Sequence, residues 1–197
     1  MNKLYSVLYY VFWIAFKIFH PWKVVGDPTL PDGGVLICGN HTSMSDPFYV
    51  ALGLGRKRQT RFLAKSELTK IPILGALIKK AGVIGIERGK ADINAIKHCL
   101  RALKNGENLL MFPEGTRVQE GEEGDAHGGA AMLATRSGVP ILPVYIPRKK
   151  KWFRKTSVVY GELYYPQFEG RRATSEDYKR ISADLMVRIG ALEELAQ

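Results

Sequence analysis

"VLICGNHTSMSDPFYVALGL", Val35 to Leu54, joins two periodicities through a polar turn, and the fold is decided by how it is read. Its apolar start is short and unbroken, as in a strand buried on both faces. Pro47 to Leu54, opening after hydroxyls and an acid, reads as a short helix. Between them Thr42, Ser43, Ser45, Asp46 and Pro47 are turn formers whose side chains bond nearby backbone. His41 and Asp46 sit five positions apart. A helix would set them about 140° apart around its axis. A strand would separate them by roughly 16 Å. Only a turn can bring them into contact, and two readings of it stand side by side. Asp46 caps a helix whose first turn holds Pro47, or the chain folds back so that the carboxylate accepts one ring N–H of His41 and leaves the other nitrogen as a base.

Outward from that stretch the alternation continues. "RFLAK" is a strand, Ile73 to Ala81 a helix after Pro72, and "GVIGIE" a strand. Asp92 caps a helix that runs to about Asn105, where Gly106 stops it. "NLLMF" is a strand that leads into the loop Gly115 to Gly128; a helix from Gly129 to Ser137 follows, then the strands "PILPVYI" and "SVVYGELYY". The closing helix takes Thr174 or Ser175 as its cap and places Tyr178, Ile181, Leu185, Ile189 and Leu192 on one face. "HPWKVVGDPTLPDGG" reads as a connector. This order predicts an α/β domain with a largely parallel, mixed sheet flanked by helices. Ligands of such sheets gather at the carboxyl ends of strands, where the His41 turn and the loop after "NLLMF" both lie.

The 197 residues suit one domain with a substantial core. Twenty-nine Lys and Arg against nineteen Asp and Glu give +10, which favours an anionic partner: nucleic acid, anionic lipid or a phosphorylated substrate. The basic residues are scattered among strand ends and match no nucleic-acid recognition module, so nucleic acid is not expected. Cys38 and Cys99 lack metal-type spacing and read as reduced thiols. The N-terminal run Leu4 to Phe19 is roughly 24 Å long as a helix, short of a bilayer's hydrocarbon core of roughly 30 Å. It offers no small-residue cleavage site either. Leu4, Leu8, Val11, Phe12, Ala15 and Phe19 form an apolar face, with Tyr10, Trp13 and Lys17 along another side. Residues 1–20 are therefore expected to be a helix lying in one leaflet, with a core-packing first helix as the alternative, and 21–197 the domain proper. "RKKKWFRK", Arg148 to Lys155, is basic at six of eight positions and reads as a surface for anionic head groups or as a solvated loop.

"MFPEGTR", Met111 to Arg117, makes a corner at the end of an apolar strand: Glu114 can fix a hydroxyl or guanidinium, and Arg117 can grip a phosphate. "GVIGIERGK" likewise delivers Arg88 and Lys90 to a strand end. In order, "NHTSMSD", "GVIGIER", "FPEGTR" and "VPILPV" resemble the four motifs of the glycerolipid acyltransferases, specifically the bacterial 1-acylglycerol-3-phosphate type, over about Gly26 to Pro166. The resemblance implies that His41 is the general base and Asp46 its orienting carboxylate. It implies that Arg88 and Arg117, with Lys65, hold the acceptor phosphate, that Glu114, Gly115 and Thr116 line the acceptor side, and that Val139, Pro140, Ile141 and Pro143 shape the acyl channel. A backbone N–H near Gly115 or Thr116 is then the expected oxyanion donor.

The implied reaction moves a fatty acyl group from an acyl thioester, on coenzyme A or acyl carrier protein, to lysophosphatidic acid on the cytoplasmic face of the cell membrane. It needs no metal, no other cofactor and no serine nucleophile. Another lysolipid or glycerol-3-phosphate as acceptor is one alternative, and a non-catalytic basic peripheral membrane protein is the other. Where family members often carry Phe and Lys after the third motif, this chain has Ala126 and His127, and His127 reads as a loop residue.

Overall fold

The computed structural model of the protein describes residues 3–57, 59–87, 92–115 and 128–196. A first helix, α1 (Lys3–Phe19), leads into strand β1 (Trp22–Val25) and, after a loop, β2 (Leu36–Gly39). Then follow α2 (Asp46–Leu54), β3 (Thr60–Lys65), α3 (Ser66–Lys70), α4 (Leu74–Lys80), β4 (Val83–Ile86), α5 (Ile93–Lys104) and β5 (Asn108–Met111). The second half holds α6 (Gly129–Ser137), β6 (Ile141–Tyr145), β7 (Thr156–Tyr160) and α7 (Ser175–Ala191). Among the described residues, seven strands form one mixed sheet in the order β1-β7-β6-β2-β5-β3-β4. From β6 to β4 all neighbours run parallel, whereas β7 meets β6 antiparallel and β1 runs parallel to β7.

The two-residue period of the strands sorts the core into two layers. On β2, Leu36 and Cys38 face α5, α6 and α7, where they meet Cys99, Leu103, Leu133, Leu185 and Ile189. Ile37 points the other way, toward Phe16 of α1 and Tyr49 and Val50 of α2. β6 splits alike, with Ile141 and Tyr145 on the first face and Leu142 and Val144 on the second. Because β2 is wholly buried between helical layers, its sequence is a continuous apolar run rather than an alternating one. Cys38 and Cys99 are free and buried in the same layer, and burial pushes both thiols up, Cys99 to about 12. Gly53 lets α2 approach the sheet: a Cβ there would lie 2.2 Å from the Tyr160 hydroxyl, which donates to the Val50 carbonyl at 2.8 Å.

Several sequence expectations need correction. The connector after α1 contains an edge strand, β1. "SVVYGELYY" is a strand only to Tyr160; beyond it Tyr164 makes a single antiparallel bridge to Ile141. Of the two caps expected for α7, Thr174 is the one used, in a reciprocal capping box with Asp177. The face expected for α1 is rotated. Tyr5 and Phe16 are its buried residues, and Phe12 packs on Phe48 with ring centroids 4.3 Å apart. Val7, Val11, Ile14 and Ile18 form the outer apolar stripe, each more than half exposed. α1 thus packs on the domain and presents a second hydrophobic face outward. Among the described residues no helix is long and apolar enough to cross a membrane.

Candidate active site

The carboxyl ends of β2, β5 and β3 deliver the candidate residues to one edge of the sheet. After Gly39 the chain turns through Thr42–Ser45 and folds Asp46 back under His41, with Nδ1 3.0 Å from Asp46 Oδ2. The same carboxylate oxygen accepts the backbone N–H groups of Thr42 (2.8 Å) and Ser43 (2.7 Å). Asp46 is therefore not the helix cap of the simpler reading. Ser45 occupies the N-cap position without a side-chain cap bond, and Asp46 and Pro47 open α2 while the carboxylate serves the preceding turn.

Asp46 is fully buried. Burial opposes its ionisation, but the hydrogen bond from His41, the charge of Lys150 and the Ser43 N–H outweigh it, and the carboxyl titrates below its ordinary value. An ionised carboxylate can only accept, so Nδ1 of His41 donates to it and Nε2 is the nitrogen left to act as a base. His41 is 9 % exposed, and its ring stacks on Phe112 at 4.1 Å with 13° between the planes.

Glu114 is buried, and its Oε2 accepts the backbone N–H of His41 at 2.8 Å. It thereby ties the corner after β5 to the His41 turn. Burial raises its carboxyl above the usual range, against the pull of the His41 N–H, His41 and Arg148. Gly115 adopts φ +69°, open to glycine at little cost, and its N–H donates to the Phe112 carbonyl at 3.0 Å. That amide is committed to the turn, so Gly115 is not the free oxyanion donor expected. Arg88, Thr116, Arg117 and His127 lie outside the described residues.

A cavity of about 420 Å³ opens beside the ring of His41. Its walls are apolar, drawn from α1 (Tyr9, Phe12), α2 (Ala51), Phe62 on β3, and Leu68 and Leu77 beneath it. Lys65, at the end of β3, stands on the same wall. The volume falls within the roughly 300–1,000 Å³ usual for small-molecule sites. Val139, Pro140, Ile141 and Pro143, expected to shape an acyl channel, are buried in the core and line none of it. Among the described residues no group of His, Cys, Asp and Glu is arranged to hold a metal.

Two features escaped the sequence reading. Phe112 supplies the stacking face for His41. Lys150, inside the basic run taken as solvent-facing, turns inward: its Nζ lies 2.7 Å from Asp46 Oδ1 and donates to Thr42 Oγ1 at 3.0 Å.

An oriented imidazole with a free nitrogen beside an apolar cavity can take a proton from a hydroxyl presented at the cavity mouth while the cavity holds a hydrocarbon chain. The acyltransferase family model matches residues 22–147, and the chain belongs to that family. It is 31 % identical over 138 residues to the chloroplastic 1-acyl-sn-glycerol-3-phosphate acyltransferase of Arabidopsis thaliana, covering 67 % of this chain and 38 % of that one. It is 28 % identical over 188 residues to the Pseudomonas aeruginosa enzyme of the same description, covering 88 % and 72 %. The crystal structure of the 1-acyl-sn-glycerophosphate acyltransferase of Thermotoga maritima matches with a TM-score of 0.73 and 27 % identity, over 97 % of this chain and 79 % of that one. The chain spans less than two fifths of the length of the Arabidopsis relative.

Proposed function

We propose that the protein transfers a fatty acyl group from an acyl thioester to the free hydroxyl of 1-acyl-sn-glycerol-3-phosphate, yielding phosphatidic acid and the free thiol. The carrying observation is the His41–Asp46 contact at 3.0 Å beside an apolar cavity. Family membership and the names of the relatives support the same reaction class. In the proposed step Nε2 of His41 accepts the acceptor's hydroxyl proton as its oxygen attacks the thioester carbonyl. Asp46 holds the tautomer and stabilises the imidazolium. Collapse of the tetrahedral intermediate expels the thiolate, which takes the proton back from His41. Base catalysis of this kind contributes about 10² to 10⁴ in rate.

The acyl chain occupies the cavity beneath α1, and Lys65, with Arg88 and Arg117, attracts the acceptor's phosphate. Membrane association on the cytoplasmic face belongs to the same reading. The outer stripe of α1 continues into Trp152 and Phe153, both about two-thirds exposed, with Phe19 packed on each ring. Basic residues flank them, suited to anionic head groups. The donor thioester is carried by coenzyme A or acyl carrier protein, and the positive net charge suits either anion.

The test is acyl transfer by purified protein, with lysophosphatidate, glycerol-3-phosphate and other lysolipids offered alongside both donor types. Preferred turnover of lysophosphatidate is expected, and His41→Ala should abolish it while the protein stays folded. Near-normal turnover by His41→Ala refutes the mechanism; preference for another acceptor refutes the substrate.

A further inference from the structure

The loop Arg148–Lys155 does two things at once. Trp152 and Phe153 point outward, whereas Lys150, two residues earlier, is buried with its side chain 7 % exposed. The loop's position is set by backbone: Phe153 N–H donates to the Phe19 carbonyl at 2.8 Å and Thr156 N–H to the Pro21 carbonyl at 2.9 Å. At the loop's start, the Asn40 side chain donates to the Ile146 carbonyl and accepts the Ile146 N–H, both at 2.8 Å. The residue before His41 is thereby joined to the strand end that launches the loop.

At the carboxylate the two oxygens are served differently. Oδ2 already takes three N–H groups, from His41, Thr42 and Ser43. Oδ1, fully buried, faces the Lys150 ammonium at 2.7 Å. A buried carboxylate oxygen without a partner is costly, so the ammonium fixes the plane of the carboxyl group and, through it, the ring of His41. It also changes what the imidazole senses. Next to a lone carboxylate the ring is drawn toward imidazolium, which cannot act as a base. Next to a carboxylate already paired with a cation that pull is weaker. Among the described residues, the other charged groups near the ring are Glu114, which accepts the His41 N–H, with Arg148 acting on Glu114, and Lys65 on the cavity wall.

We propose that Lys150 is a positioning residue of the acyl-transfer site, holding Asp46 and keeping His41 available as the neutral base, a role that rests on His41 acting as that base. Lys150 reaches no reacting atom. Its contribution passes through Asp46, and the loop that carries it is the one proposed to sit on the membrane.

The experiment compares full-length wild type with Lys150→Met, Lys150→Gln and Lys150→Arg. Gln keeps a donor for Asp46 and Thr42 but no charge, which guards against a Met variant that does not fold; Arg keeps the charge. The readout independent of turnover is ¹⁵N-histidine NMR across pH, with His41 assigned by comparison with His41→Gln. The pH at which the His41 ring signals change should rise by about one unit in the neutral variants and stay near wild type in Lys150→Arg. The acid limb of the kcat/KM profile should move by the same amount, with kcat reduced more than tenfold and KM little changed. If Lys150→Gln folds and titrates as wild type does, or loses only thermal stability, Lys150 merely pins the loop and the proposal fails. Wild-type protein that transfers no acyl group, yet whose His41 titration responds to Lys150, would sink the proposed reaction and leave the electrostatic link standing.

Discussion

Replacing Asp46 by Asn tests the centre of the site because the new amide cannot satisfy its surroundings in either orientation. With its oxygen at the Oδ2 position it still accepts from His41, Thr42 and Ser43, but its NH₂ group then confronts the Lys150 ammonium, donor against donor, in a fully buried place. Turned around, the oxygen serves Lys150, and three N–H groups meet two more hydrogens. Removing one partner of a buried ion pair costs about 3–5 kcal/mol. A domain of this size has about 5–15 kcal/mol of stability, so the loss is easily measured. The sign with pH is fixed by the depressed carboxyl of the folded protein. Its contribution is fully present above the unfolded value, about pH 3.9, and is lost as pH falls through the lower folded value. Urea unfolding from pH 7 to pH 2.5 should therefore show Asp46→Asn weaker by about 3–5 kcal/mol at neutrality, with the two curves converging below about pH 4. Acyl transfer at pH 7 should fall by about 10² to 10⁴, since the neutral amide no longer stabilises the imidazolium and, in its turned orientation, no longer accepts from Nδ1–H. A gap under about 0.5 kcal/mol at pH 7, or one that persists undiminished at the acid end, would refute the reasoning.

Three further outcomes follow from the packing. Gly53→Ala gains about 1 kcal/mol of helix propensity but drives a methyl against the Tyr160 hydroxyl; net destabilisation of about 1–3 kcal/mol is expected, and unchanged thermal unfolding would contradict the close approach. Ala51→Trp fills the cavity from α2 and should lower kcat/KM for long-chain against medium-chain thioesters by about tenfold or more; an unaltered chain-length profile would place the acyl chain elsewhere. Ile14→Asp with Ile18→Asp removes two exposed apolar side chains, each worth about 1.5 kcal/mol or more when buried in lipid. Binding to anionic vesicles should fall about a hundredfold with unfolding unchanged. These substitutions are sharper than deletion of α1, which would also uncover the pockets filled by Tyr5 and Phe16.

The strand–turn–helix unit at Val35 to Leu54 was legible because two short-range signals agree there: an unbroken apolar run, then turn formers before a proline. The alternation that gives the mixed α/β sheet is local in the same way. β1 was hidden because "WKVV" is four residues long, half exposed, and bracketed by proline and glycine; it becomes a strand only by pairing with β7, more than a hundred residues away. α1 misled differently. With apolar residues nearly all round, its sequence cannot say which face docks, and that is chosen by Phe48 and Tyr49 of α2. Glu114 was read as holding a hydroxyl or a guanidinium, and its contact with the His41 amide, 73 positions earlier, had no local mark. Lys150 was invisible for a related reason: a lysine among five other basic residues has no local mark of burial.

The order of the sheet explains why those long-range partners meet. β2 lies between β5 and β6, all three parallel, so the chain leaves each at the same edge. β2 releases the His41 turn, β5 the Phe112–Glu114 corner, and β6 the loop bearing Lys150. The first sets a carboxylate below Nδ1 of His41, the second a ring against the imidazole's face and a glutamate on the His41 backbone amide, and the third an ammonium on that carboxylate. Residues distant in sequence thus become neighbours through strand adjacency alone. The helices contribute the complementary part. α1 and α2 cover the second face of the sheet and, with the α3–α4 segment, leave the apolar cavity that ends at His41. The hydrocarbon cavity and the polar cluster therefore share His41 because the site sits where the sheet's carboxyl edge meets the α1–α2 layer. The proposed substrate, half chain and half charged head, would lie across that junction with its hydroxyl beside His41.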